Sequence, residues 1–192
     1  MTNIVFIKGA KQSVVDFINR GLKGCKSTVR VSADMSGGQI ADRLIEPGCP
    51  ISMHSYLPMA ATSLHAEFEN APMYFWICKY ETPEKLCLSL QLLDATMYPV
   101  AFLRFINGLD GITVYAYGFE YPFYQSWYQY NGRTDELIEK DVLTDPKFEQ
   151  YKEALKQQAD YNPKTVDAEA SYKVLEGYLQ DFQKELNKEI MP

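Results

Sequence analysis

Between Leu86 and Tyr130 the chain runs LCLSLQLLDATMYPVAFLRFINGLDGITVYAYGFEYPFYQSWYQY. Leu86, Leu88, Leu90 and Leu92 alternate with Cys87, Ser89 and Gln91, the two-residue period of a half-buried strand. Pro99 suits the first turn of a helix, where its missing N–H would have no partner, so a helix is expected to begin there. Phe102, Leu103, Phe105 and Ile106 share a face of that helix, and Asn107-Gly108 suits its end. After the Asp110-Gly111 turn, Ile112, Val114, Ala116 and Gly118 alternate with Thr113, Tyr115, Tyr117 and Phe119. One side of this second strand is small and aliphatic, the other aromatic. A right-handed crossover would set both strands in one sheet, with the helix buried on the aliphatic side.

Upstream, Asn3–Lys8 (NIVFIK) reads as a strand, and Val14, Val15, Phe17, Ile18 and Leu22 fall at helical spacing just after it. Thr28–Ser32 alternates as a further strand would. Ser36-Gly37-Gly38 opens a short helix from Gln39 to Glu46 and reads as a capped turn; the spacing matches neither a P-loop nor a dinucleotide fingerprint. Ile51–Leu57 is a strand candidate. Met73–Tyr80 (MYFWICKY) is a stronger one, and its apolar character on both faces predicts a central position in the sheet.

A chain of 192 residues can bury a full core without staples. Cys25, Cys49, Cys78 and Cys87 are irregularly spaced, with only His54 and His65 as imidazole partners, so buried free thiols are expected and no metal site. No apolar run is long enough to span a membrane and no leader-like segment opens the chain, so a cytoplasmic protein is expected. Residues 1–133 hold 11 basic and 11 acidic side chains, while 134–192 hold 8 and 14, so the net charge of −6 lies entirely in the last third. That balance argues against nucleic acid or anionic lipid as partner.

The acidic tail differs in kind. Asp145-Pro146 and Asp167 each suit the start of a helix, the second with a stripe of Leu175, Tyr178, Leu179, Phe182, Leu186 and Ile190. A two-helix extension over 134–192, docked on a domain of residues 1–133, is the expected organisation.

Three features carry a family resemblance: the opening NIVFIKG followed by a helix, SYLPM at Ser55–Met59, and the order of Leu90–Pro99, helix, strand and aromatic run. In these, Thr2 to about Gly132 resembles an uncharacterised family of phage, plasmid and bacterial proteins with a ferredoxin-like domain. The resemblance implies an α+β fold, a ferredoxin-like sheet with helices packed on it, to which the tail is added. It carries over no functional residue.

No nucleophile elbow, zinc-protease motif or Cys-His pair at a supporting spacing is present, so no catalytic, cofactor-binding or metal-binding residue is nominated. Glu81/Glu84 and Asp94/Asp110 are the carboxylate pairs an unrecognised enzyme site would draw on. Tyr115, Tyr117, Phe119, Tyr121 and Trp127 are the partner-binding candidates, since large aromatic side chains give contact area at low entropic cost. The expected function is a non-catalytic protein-interaction or accessory module, binding another protein or itself through this aromatic face. A single-stranded nucleic-acid module is the alternative: Tyr117-Gly118-Phe119 has the ring spacing of a base-stacking segment, but no basic residue stands between Arg104 and Arg133. Residues of the tail stripe need an apolar surface too, so the aromatic face is either covered by them or open to a partner.

Overall fold

The computed structural model describes residues 2–22, 30–44, 73–93, 100–119 and 126–141, together with Pro146, Lys184, Lys188, Ile190 and Met191. In chain order the elements are β1 (Thr2–Ala10), α1 (Lys11–Gly21), α2 (Gly37–Leu44), β2 (Met73–Glu81), β3 (Lys85–Leu93), α3 (Val100–Ile106), a single 3₁₀ turn (Leu109–Gly111), β4 (Thr113–Phe119), β5 (Ser126–Asn131) and β6 (Glu136–Asp141). The strands form one sheet in the order β2-β3-β1-β4-β5-β6, and β1 pairs antiparallel with both β3 and β4.

This corrects the expected ferredoxin-like α+β architecture. The sheet has six strands, and the helices among the described residues are short, 11, 8 and 7 residues. The difference arises in Ser126–Asp141, where the end of the aromatic run and the start of the acidic tail are both extended and the chain reverses at Gly132–Asp135. Asn131-Gly132 between two extended runs is a strong short-range hairpin signal, and it adds β5 and β6 beyond β4.

The strand expected at Thr28–Ser32 does not form at its described end, since Arg30–Ser32 lie outside any strand. The Asn19 side chain takes the place of a neighbouring strand there: its Nδ2 donates to the Val31 carbonyl at 2.8 Å and its Oδ1 accepts from the Val31 N–H at 3.1 Å. Ile51–Leu57 lies outside the described residues.

β1 is central because both of its faces are apolar. Val5 and Ile7 join Leu86, Leu88 and Leu90 of β3 and Val114 and Ala116 of β4 in a core covered by α1, α2 and α3. Within α1, Val14, Val15, Phe17 and Ile18 are all buried in that core, each contributing roughly 1.5–3 kcal/mol by burial.

Two contacts set how closely the helices and turns approach the sheet. At the start of α2, Ser36 and Gln39 cap reciprocally: the Ser36 N–H donates to Gln39 Oε1 at 2.8 Å and the Gln39 N–H to Ser36 Oγ at 3.2 Å. Here Gly37 lies so near β2 and β3 that an added Cβ would stand 2.4 Å from Cys78 Sγ and 2.9 Å from Leu86 Cδ1. At the far side, Asn107 ends α3 and ties two other elements together, donating from Nδ2 to the Gly132 carbonyl (2.8 Å) and accepting at Oδ1 from the Val114 N–H (3.3 Å). A Cβ on Gly132 would meet the Val114 carbonyl oxygen at 2.1 Å, which is backbone and has nowhere to go.

The chain divides into two compact units, Met1–Phe119 with Tyr128–Ile138, and Glu120–Trp127 with Glu139–Pro192. In the second, Lys184, Lys188 and Ile190 are helical and Ile190 is buried. The remainder of the two expected tail helices lies outside the described residues, apart from Pro146, which is in a 3₁₀ turn.

The two glycines predict an ordering. Gly132→Ala should destabilise by about 3 kcal/mol or more in urea denaturation, whereas Gly37→Ala should cost about 1–3 kcal/mol because the atoms it meets are side-chain ends. Cys78→Ala combined with Gly37→Ala should recover part of the second loss and none of the first.

Candidate interaction surface

The face of the sheet opposite the helices follows from strand register. Across β2, β3, β1 and β4, one row of paired residues is Ile77, Ser89, Phe6 and Tyr115, and the next is Phe75, Gln91, Ile4 and Tyr117. A bulge between Cys78 and Tyr80 brings Tyr80 opposite Cys87, onto this same face, and returns Glu81 to the helix side opposite Leu86.

Burial grades across these rows. Tyr115 and Tyr117 are each 3 % exposed, and Ile4, Phe6, Cys87 and Ser89 are buried as well. Tyr117 stacks on Phe6, with ring centroids 6.2 Å apart and planes at 28°. At β2 the gradient ends, and Phe75 is 41 % and Ile77 40 % exposed. β2 is the outermost strand of the sheet and not, as its sequence predicts, a central one.

The aromatic residues singled out from the sequence therefore part company. Tyr115 and Tyr117 lie side by side on this face, with their side chains buried. Phe119 ends β4 and Trp127 lies in β5, though their side chains are outside the described set, as is Tyr121 altogether. Tyr128 and Tyr130 belong to the core on the helix side. Tyr130 donates from its hydroxyl to Asp135 Oδ1 at 3.2 Å, and the Arg104 Nε lies 3.3 Å from that same oxygen. Burial, reinforced by the Asp135 charge, pushes the Tyr130 phenol up to about 12, so it stays protonated and holds the β5–β6 turn. Phe75 and Ile77 are the residues sequence reasoning missed. Period-two alternation identified their strand, but a strand apolar on both sides reads as central, and nothing local says that its neighbour is missing.

The polar groups around this face are mostly engaged. Lys79 Nζ lies 5.9 Å from the Phe6 ring centre and Lys8 Nζ 5.6 Å from that of Tyr80, both within cation–π range. Ser89 Oγ and the Tyr80 hydroxyl oxygen are buried with no hydrogen-bond partner among the described residues. Burial raises the Tyr80 phenol and pushes the Cys87 thiol up to about 12, leaving that thiol uncharged and unreactive at neutral pH. Cys78 and Cys87 are both free thiols; Cys25 and Cys49 lie outside the described residues.

Of the carboxylates in the two pairs, Glu81 and Asp110 are each engaged by a different base. Glu81 Oε1 pairs with Lys11 Nζ at 2.6 Å and its Oε2 accepts from the Gly37 N–H at 2.7 Å, so it fills the start of α2 that an anion would otherwise take. Those two bonds hold its carboxyl below the ordinary value of 4.5. Asp110 pairs with Arg20 at 2.9 Å, while Asp94, His54 and His65 lie outside the described residues. Among the described residues no group of three or more His, Cys, Asp or Glu side chains could hold a metal, and no helix is long and apolar enough to cross a membrane.

No family model, curated protein or solved structure matches this chain.

Three outcomes follow. Tyr115→Ala should cost about 3–5 kcal/mol in denaturant unfolding, as for a core ring, while Phe75→Ser should cost about 1 kcal/mol or less. Ser89→Ala should leave stability unchanged or raise it by roughly 1 kcal/mol, since it removes a buried hydroxyl that lacks a partner; a clear loss would mean the hydroxyl is satisfied. The folded state keeps Glu81 ionised below 4.5, so its bonds stabilise at neutral pH and that stabilisation is lost as pH falls from about 4.5 through the folded value. Unfolding curves between neutral and acid pH should accordingly show a smaller acid-induced loss in Glu81→Gln than in the parent.

Proposed function

We propose that this chain is a non-catalytic module that binds protein through the β2 margin of the sheet face centred on Tyr115 and Tyr117. One observation carries the reading: Phe75 and Ile77, two residues apart on the outermost strand, hold about two-fifths of their surface in water, while Ser89, Ile4, Phe6, Tyr115 and Tyr117 in their rows are buried and Gln91 is half-buried. Single exposed apolar side chains are ordinary; two on one face of a sheet edge form a strip a partner can cover. The edge backbone gives an incoming strand its hydrogen bonds, and alternate side chains give it selectivity. No positive field is needed for such contact, in keeping with the equal numbers of acids and bases in residues 1–133.

The resemblance of Thr2 to about Gly132 to a family of phage, plasmid and bacterial proteins supports placing the module in the cytoplasm of a bacterium or in the service of a mobile element.

The test is site-specific photo-crosslinking in the cells that make the protein. A benzophenone side chain in place of Phe75 should give discrete adducts on illumination, and the same group in place of Asp42, an exposed residue of α2, should not. Absence of adducts at position 75, or an equal pattern at both positions, overturns the reading.

A further inference from the structure

We infer that the partner at this margin is a second copy of the chain, joined by antiparallel pairing of β2 with β2 across a two-fold axis. The inference rests on the interaction reading above and names its occupant.

Edge strands are ordinarily guarded by charge, proline, a bulge or shortness. β2 has nine residues, and its guards are confined to one end, where the bulge at Cys78/Tyr80, Lys79 and Glu81 lie. Met73–Ile77 (MYFWI) has none: no charge, no proline and no break in register with β3. Trp76 on the helix side is buried in the core, so this half of the strand is held rigidly by its inner face while its outer edge is unpaired among the described residues. It is the sequence of an interior strand, and a further strand beside it would give it interior surroundings.

The segment is its own complement. In an antiparallel self-pair centred anywhere from Phe75 to Ile77, every residue that falls opposite another within β2 is matched without like charges, because Lys79 and Glu81 are its only charged residues and never oppose themselves or each other. With the pair centred on Trp76, Phe75 would lie opposite Ile77 of the other copy, an aromatic and β-branched pair; with it centred on Phe75 or Ile77, that residue would lie opposite its own mate. The isologous contact closes after two copies and occupies the β2 edge of each, which limits growth through this edge to a dimer. The excess negative charge lies beyond residue 133, so the approaching edges carry no net repulsion of their own. A different protein donating an extended segment would have to reproduce what β2 already supplies.

Sedimentation of the purified full chain tests this. At about 50–100 μM, within the usual range for a modest interface, the parent should sediment near twice its 22.0 kDa and shift toward monomer on dilution. Phe75→Lys combined with Ile77→Lys should weaken the association at least about tenfold with the circular dichroism spectrum unchanged. Should that variant fail to fold, hydrogen exchange on the parent takes its place: amides of residues 73–77 should gain protection as concentration rises through the dimer midpoint. A parent monomeric throughout this range, a variant that dimerises undiminished, or exchange at 73–77 independent of concentration overturns the self-pairing. Crosslinks from position 75 to another protein, with the purified chain monomeric, would remove self-pairing and leave the interaction reading standing; no crosslinks at all would remove both.

Discussion

The structure depends on β1 being bonded on both edges and buried on both faces. Thr2–Ala10 pairs along its length with β3 on one side, and over Thr2–Lys8 with β4 on the other. A strand so enclosed can hold no unmatched polar side chain near its middle, and Ile4, Val5, Phe6 and Ile7 meet that demand with four apolar residues in succession. Once β1 is enclosed, the helices must lie over Val5 and Ile7, and Ile4 and Phe6 need cover on the opposite face, which Ser89 and Gln91 of β3 are too polar to supply alone. Tyr115 and Tyr117 follow from this: they are the β4 neighbours of Phe6 and Ile4.

The same enclosure explains how much was legible in the sequence. β1, α1, α2, β3, α3 and β4 each have one face buried in a contiguous core, so their periodicities are strong, and the reading of Ile112–Phe119 as aliphatic on one side and aromatic on the other agrees with the register of β4. β5 and β6 were harder to read. Ser126–Asn131 continues an aromatic run with no single two-residue period, Tyr128 and Tyr130 of it lying on the helix side, and Glu136–Asp141 is mostly charged and reads as tail. Only Asn131-Gly132 and the turn they open mark the hairpin. Arg30–Ser32, the described end of the strand expected at Thr28–Ser32, differs for another reason: alternation detects an extended backbone, and at Val31 the hydrogen bonds that would join it to a neighbouring strand are supplied by the Asn19 side chain instead.

The candidate surface was half legible. Period-two patterning found the face but could not grade exposure along a row, because exposure depends on what lies beyond each strand and not on the strand itself. Tyr115 and Phe75 have similar local signatures, alternate aromatic positions in an extended run. They differ by position in the sheet: two strands, β3 and β1, lie between Tyr115 and the edge that Phe75 occupies. Aromatic density therefore pointed toward the buried centre, and the accessible margin lay where the sequence had forecast an interior strand.

That conflict between local sequence and position is itself informative. Sequences that specify one structure agree with it at every level, and persistent disagreements gather where function requires them. Elsewhere in the described sheet the agreement is close: Gly37 and Gly132 stand where a side chain would collide, and Glu81 turns to the helix side where a lysine and a helix N–H await it. Against this, Met73–Ile77 breaks the rule for edges while Lys79 and the bulge, a few residues on, obey it. A strand guarded over one half and bare over the other is not a strand left unguarded by neglect. On the proposed self-pairing, the bare half is the portion that must remain able to pair, and the guard beside it limits where pairing can extend.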